Sequence, residues 1–375
     1  MEKIKRLILL VVPNQVCNLK CEYCYISQVD DWKGEQKMTY SPEYIAKCLS
    51  AKRLGGICLI NLTGNGETML QTGIVEIIDK LLKEGHFVEV VTNGTVTKRI
   101  QQVLQLPKSE LSRLFFKISF HYKELLKLNM MDVFFKNVNE IQKAGVSFTL
   151  ELMAYDGIEN EITHIKKICK EKTGAVCHAT IGRDDTKRTR GLLSKHDKET
   201  YQKIWEGIES PMLDFKLQML GQRRKEFCYA GEWSLFVNLY TGEAQPCYRQ
   251  PYNQNIFKNP DKPIYFSPVG HFCNLPYCVN AHAHIAWGDI PEFEQPLYCD
   301  MRNRVCDNGE EWLNPQCKEF FSSKLYETNE THNKYEQIIL TVTYPIKFLI
   351  WSLRHPAKGV ERVKKYILHK SKRDE

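Results

Sequence analysis

The chain has 375 residues, 43% of them hydrophobic, and a formal net charge of +7, enough length and apolar content for a full-sized core and a second, smaller unit. No run of 18 apolar residues exists, which excludes a spanning helix. Arg354 to Glu375 holds eight Lys/Arg against three Asp/Glu while the rest is nearly neutral, which argues against a broad nucleic-acid surface. The N-terminal run Leu7 to Val12 is too short for a secretory signal and no small-residue cleavage site follows it, so a cytoplasmic protein is expected. Its 14 cysteines then call for metal or redox work, because disulfides are disfavoured in that compartment.

In chain order, Ile8 to Val12 reads as a short buried strand. Directly after it come Cys17, Cys21 and Cys24 within eight residues, on the loop leaving the strand's carboxyl end. Thiolates are soft ligands suited to zinc or iron–sulfur clusters, and three of them fall one short of a closed structural zinc site. On a cubane-type cluster, three cysteines leave one iron open to a small molecule. Ser41-Pro42-Glu43 opens a helix that ends at Gly55-Gly56, and Ile57 to Leu62 is the next strand. A helix over Ile74 to Leu82 is followed by a strand over Phe87 to Val91. Further helices are expected over Thr97 to Leu104, Val133 to Ala144 and Ile158 to Cys169, alternating with strands over Leu114 to Phe120, Val146 to Met153 and Ala175 to Ile181. This alternation implies parallel β–α units with right-handed crossovers, in a partial α/β barrel or an open sheet. Ligands in either architecture bind at the carboxyl ends of the strands, where the cysteine loop sits.

Other strand ends carry polar groups. Gly64-Asn65-Gly66-Glu67 follows the second strand, Thr92-Asn93-Gly94 the third, and Ser119 with His121 the fourth. Each also reads as an ordinary polar turn. Arg183, beside Asp184 and Asp185, reads as solvated. Ser194 to Ile208 is expected as a helix that closes the sheet. From Cys228 onward cysteine, aromatic and proline content rises: Cys228, Cys247, Cys273, Cys278, Cys299, Cys306 and Cys317 fall within ninety residues. Trp233 to Leu239 and the residues before Cys247 form a β-hairpin turning near Thr241-Gly242. Ile338 to Leu353 is apolar, with Tyr344-Pro345 in its middle and the basic segment after it. A helix pair packed on the body is expected there, with contact to an anionic membrane face as the alternative.

The run Cys17-x3-Cys21-x2-Cys24, with Tyr23 before the third cysteine, resembles the signature of the radical S-adenosylmethionine (SAM) superfamily. The resemblance implies a partial (β/α)6 TIM-like barrel over residues 1–210. Within it a [4Fe-4S] cluster on Cys17, Cys21 and Cys24 binds SAM and cleaves it to a 5′-deoxyadenosyl radical that takes hydrogen from a substrate. It also implies that Gly64, Gly66 and Glu67 stand where the family's Gly-Gly-Glu holds the SAM amino group, although Asn65 separates the glycines and Thr68 replaces the usual proline. Asn93 and Ser119 are carried over in the same way, Ser119 toward the ribose.

Cys228-x13-Gly242-x4-Cys247 resembles the start of the family's SPASM/Twitch auxiliary-cluster module. This implies an auxiliary domain over 211–325, a small cysteine-rich β-hairpin unit, before a basic helical tail over 326–375. Cys228, Cys247, Cys273 and Cys278 would hold one auxiliary [4Fe-4S] cluster. Cys299, Cys306 and Cys317 are left over; with one more ligand they would suit a second, but a single auxiliary cluster is the expectation. A four-cysteine zinc site on Cys228, Cys247, Cys273 and Cys278 is the competing reading. His282 and His284 are assigned a structural or substrate role rather than ligation. The implied partners are a peptide or protein side chain as substrate and a reducing protein such as flavodoxin or ferredoxin, with no nucleic acid. A sugar-like or other small-molecule substrate is one alternative, and a non-enzymatic, metal-stabilised scaffold another. Because the chain begins almost at its first strand, a leader-peptide-binding domain ahead of it is not expected.

Overall fold

The computed structural model describes residues 2–32, 38–187, 189–248, 254–271, 273, 275–354, 356 and 360. Among the described residues nine strands form one sheet in the order β6-β5-β4-β3-β2-β1-β7-β8-β9. The strands are β1 (Arg6–Val12), β2 (Cys58–Gly64), β3 (Phe87–Thr92), β4 (Leu114–Phe120), β5 (Ser147–Ala154), β6 (His178–Ile181), β7 (Ser234–Asn238), β8 (Glu243–Gln245) and β9 (Gln254–Asn255). From β6 across to β7 every neighbouring pair is parallel. The last two pairs are antiparallel. Among the described residues no strand joins β6 to β9, so the barrel is partial.

The parallel strands read as near-continuous apolar runs because helices cover one face and chain fills the other. β1 is buried from Leu7 to Val12. On the outer face Ile8, Leu10, Ile60, Leu62, Val88 and Val90 meet the helices in one core. The Ile74–Lys83 helix turns Ile74, Ile77, Ile78, Leu81 and Leu82 inward, the spacing of an amphipathic helix. Ser41 caps the Pro42–Cys48 helix by accepting from Tyr44 N at 3.2 Å.

The inner face forms a second core at the amino ends of the strands. There Leu7, Leu9, Leu59, Phe87 and Phe115 pack on Trp287, Tyr298, Phe320 and Phe321. Phe87 stacks on Phe320 with ring centroids 3.7 Å apart. The chain over 285–325 thus plugs the bottom of the barrel.

Residues 211–325, expected as an auxiliary unit after a 1–210 core, contribute to both parts. The foreseen hairpin forms, but β7 lies parallel against β1, with Leu7 opposite Ser234 and Val11 opposite Asn238. The Ser194 to Ile208 helix is shorter than expected, spanning Lys198–Trp205 with Asp197 accepting from Thr200 N at 2.8 Å. The expected Ile158 start gives way to a 3-10 turn over Asp156–Glu161, and the helix proper is Ile162–Thr173. A further helix, Pro211–Met219, packs on β6.

The expected helix pair in the tail is instead one helix, Lys334–Arg354, continuous through Pro345. Leu340 packs toward the second core, and Thr341 Oγ1 accepts from His271 N at 3.4 Å. A stripe of apolar residues faces away from the body, with Ile338 60%, Leu349 60% and Leu353 72% exposed. No helix among the described residues is long and apolar enough to cross a membrane. Most of the basic segment after Arg354 lies outside the described residues.

Candidate cluster and ligand site

The carboxyl ends of β1, β2 and β3 build the first site together. Val12 hands the chain to the loop bearing half-buried Cys17 and Cys24 and buried Cys21. Cys24 begins the short Tyr25–Val29 helix, and its N–H donates to Cys21 O at 3.1 Å. Cys17 Sγ accepts from Leu19 N at 3.4 Å and faces Asn93 Nδ2 at 3.8 Å. Burial pushes the thiols up, Cys17 to about 11 and Cys21 to about 12, and Cys24 rises as well. These sulfurs stay protonated unless a metal takes the proton's place.

The glycine turn after β2 is the loop's support. A Cβ on Gly66 would stand 2.7 Å from the Val16 carbonyl carbon and closer still to its oxygen, so only glycine lets the two loops touch. Glu67 N donates to Val16 O at 2.9 Å, and Asn65 N to Val12 O at 3.0 Å. Gly64 N donates to Thr68 Oγ1 at 2.8 Å, which gives Thr68, the departure from the family pattern, a positive task. The Glu67 carboxylate turns toward β3, accepting from Thr92 Oγ1 at 2.6 Å, Asn93 N at 2.7 Å and Met69 N at 2.9 Å. Burial raises its pKa against those three donors. Asn93 bridges onward, its Nδ2 donating to Asn18 Oδ1 at 2.9 Å.

Tyr23 ties the cysteine loop to the far strands. Its hydroxyl lies 2.6 Å from His121 Nδ1, and its ring is 4.6 Å from that of Tyr155. Burial lowers His121 to about 4, so the ring is neutral at pH 7. Its work is to seat the loop.

Beneath these strand ends lies a cavity of about 360 Å³ whose lining includes Cys24, Gly64, Asn65, Ser119 and His121. Its walls are the inward positions of the strands, and they are polar where a sealed core would be apolar: Asn61, Glu89, Lys117, Glu151 and Thr180. Glu89 accepts from Asn61 Nδ2 and from Tyr298 OH, both at 2.6 Å. Glu151 pairs with Lys117 at 3.5 Å and with buried Arg302. Burial first and the Arg302 charge second lower Lys117 to about 7. Sequence reading missed this network, yet single polar residues in otherwise apolar strands at a two-residue period were its visible sign. Arg183, expected to be solvated, instead lines the cavity and donates to Val279 O at 2.6 Å.

A second cysteine group lies beyond β7. Cys228 is held against Gly270, its N–H donating to Gly270 O at 3.1 Å. Burial first and then Asp289 and Cys247 push the Cys228 thiol well up; burial and then Cys247 and Cys273 do the same for Cys278. The four thiols named from sequence therefore share one neighbourhood. Cys299, Cys306 and Cys317 do not. Cys299 Sγ meets Ser322 Oγ at 3.2 Å, Cys306 Sγ meets Thr173 O at 3.3 Å, and Cys317 Sγ meets Ser112 O at 3.4 Å. Each is packed under a different element. His284 Nδ1 lies 2.7 Å from Asp289 Oδ2 and is structural, whereas His282 lines the cavity.

Among the described residues, the group whose ligand atoms all lie within 4.8 Å of one another is Asp156, Glu159 and His196. Neither cysteine group is drawn so tightly, although four thiolates on one zinc ion stand about 4 Å apart.

Residues 11–168 match the sequence profile described as the radical SAM superfamily. The chain is 25% identical over 273 residues to the antilisterial bacteriocin subtilosin biosynthesis protein AlbA of Bacillus subtilis (strain 168), covering 68% of this chain and 58% of AlbA. It thus spans less than two thirds of that relative. Among solved structures it resembles Streptococcus suis SuiB bound to the precursor peptide SuiA, at 13% identity and a TM-score of 0.48, covering 70% of this chain and 64% of SuiB. It also resembles anSMEcpe with bound AdoMet and the Cp18Cys peptide, at 17% identity and a TM-score of 0.47, covering 92% and 98%.

Proposed function

Because the chain carries a radical SAM domain over residues 11–168, we propose that it is a radical SAM enzyme acting on a peptide or protein side chain. The observation that carries the reading is the cysteine loop seated on the Gly66 turn, with Cys24 lining the mouth of a polar cavity. Cys17, Cys21 and Cys24 would hold a [4Fe-4S] cluster, with Gly64, Gly66 and Asn93 fixing the loop around it. When bound, the cluster and SAM supply a 5′-deoxyadenosyl radical able to remove hydrogen from carbon. The protein's own contribution is positioning and exclusion. Asn93 Nδ2 faces Cys17 Sγ, the kind of outer contact that orients a metal ligand. The plugged barrel bottom keeps bulk water from the chamber. Backbone edges of the Gly64–Gly66 turn would take the amino group of SAM, with Glu67 holding the turn to β3 through its three donors. Ser119 lines the cavity and would meet the ribose.

A peptide substrate is favoured over a small molecule by the similarity to AlbA, whose name places it in the biosynthesis of a bacteriocin. Cys228, Cys247, Cys273 and Cys278 would carry an auxiliary [4Fe-4S] cluster that accepts an electron, and a flavodoxin- or ferredoxin-like protein would supply reducing equivalents. The test is anaerobic reconstitution, iron and sulfide counting, then reduction by dithionite with SAM. Two [4Fe-4S] complements and release of 5′-deoxyadenosine are expected, and Cys21→Ala should abolish the release. Zinc in place of iron, or no SAM cleavage by a reducible cluster, would sink the reading.

A second reading concerns the C-terminal helix. Ile338, Val342, Ile346, Leu349 and Leu353 form an exposed apolar stripe, and a strongly basic segment follows. Apolar burial beside basic charge suits an anionic bilayer surface. The protein should co-sediment with phosphatidylserine-containing vesicles and not with phosphatidylcholine alone. Dimerisation through the stripe without vesicle binding would overturn this.

A further inference from the structure

The cavity's cations and carboxylates do not balance. Glu89 is taken by Asn61 and Tyr298, and Glu151 by Lys117 and Arg302. Asp185 pairs with Arg190 at 2.9 Å. Lys216 remains: its amine donates to Thr180 Oγ1, and among the described residues no carboxylate lies within ion-pair distance. Among the described residues Arg183 beside it bonds only a backbone carbonyl, and His282 Nδ1 is buried with no hydrogen-bond partner. All four residues line the same cavity.

Resting on the reading of this cavity as the substrate chamber, we propose that Lys216, Thr180, Arg183 and His282 recognise a carboxylate on the substrate. A carboxylate is the complement of this set: it accepts from an ammonium, a hydroxyl and a guanidinium together, and it supplies the missing negative charge. Burial, with Lys117 and Arg183 nearby, lowers the Lys216 pKa, so the unpaired ammonium gives up its proton more readily and the amine is more open to acylation than an ordinary lysine. An arriving carboxylate restores the ammonium and closes the amine to acylation. Two sources share this chemistry, an acidic side chain and a peptide C-terminus.

The test uses the full-length, anaerobically reconstituted protein with SAM, and reads acetylation of Lys216 by acetic anhydride in mass spectra. Surface Lys203 serves as the internal reference. N-acetylaspartyl amide presents a side-chain carboxylate, N-acetylalanine a terminal one, and N-acetylasparagine amide neither. At least one carboxylate probe should slow Lys216 acetylation, about tenfold for each unit by which the amine pKa rises above the working pH, while the neutral amide leaves it unchanged. The more protective carboxylate names the source. Arg183→Met and Thr180→Val should each weaken the protection. No protection, or equal protection by the neutral amide, overturns the proposal. So does protection already complete on cluster loading or SAM binding alone, which would assign the charge balance to those groups. SAM cleavage under dithionite is measured on the same preparation; its failure strikes the enzyme reading and leaves the labelling result standing.

Discussion

The two cysteine groups are built in opposite ways. Cys17, Cys21 and Cys24 sit on one loop, so chain spacing alone brings them together, and the tertiary structure only has to brace that loop. Cys228, Cys247, Cys273 and Cys278 come from four places along fifty residues and meet only because β7 and β8 are fixed in the sheet and Cys228 is held against Gly270. A ligand set on a single loop loses little chain entropy on closing, whereas a dispersed one depends on everything that holds its loops. The first group should tolerate damage at a distance, and the second should not.

The largest effect that would sharpen this contrast is Gly66→Ala. Its Cβ meets the backbone of Val16, which cannot move aside without displacing Cys17. A loss of about 3 kcal/mol, the upper range for overpacking, is expected, together with loss of iron from the first site and retention at the second. Thermal melts and iron counts on the purified variant decide it, and unchanged loading would show that the turn does not support the loop. Next, Phe320→Ala removes the ring stacked on Phe87 and should cost about 3–5 kcal/mol. It should lower iron at the dispersed group before the compact one; equal loss at both would break the comparison. Asn93→Ala should weaken cluster retention in the first site by about 10–100-fold, measured as resistance to a chelator, with the second site unaffected. The smallest effect belongs to Cys306→Ser, which should leave iron at both sites intact and cost about 1 kcal/mol, because Cys306 packs under Gly174 and bonds a carbonyl. Loss of iron on that change would return Cys306 to the ligands.

The compact site was the more legible in sequence for the same reason. Cys17, Cys21 and Cys24 carry their geometry in their spacing, and the strand before them announces itself by six buried apolar residues. The four later cysteines could be named but not arranged, since their meeting depends on where a hairpin docks, and nothing local in Ser234–Asn238 says that its partner is β1. The parallel α/β frame was readable from alternating periodicities. The Pro211–Met219 helix, which brings Lys216 into the cavity, was not anticipated even though Ser210-Pro211 has the capping pattern that identified the helix at Ser41-Pro42. Glu67 was visible as a carboxylate at a strand end, but its three internal donors come from Met69, Thr92 and Asn93, and only the folded chain shows that it is already satisfied. The seven later cysteines look alike in sequence; partners distant in the chain separate four gathered thiols from three packed singly.

The place of β1 at the junction of β2 and β7 has a consequence for synthesis. Residues 6–95 contain the Gly66 turn, Glu67 and Asn93 that support the first cysteine loop, His121 and Tyr155 join it later, and β7 is translated more than two hundred residues after β1. At ordinary elongation rates the free edge of β1 waits on the order of ten seconds or more for its partner, displaying an apolar strand that any other edge can pair with. The nascent chain is therefore most exposed to misassociation during the interval in which its first cysteine loop can already begin to form.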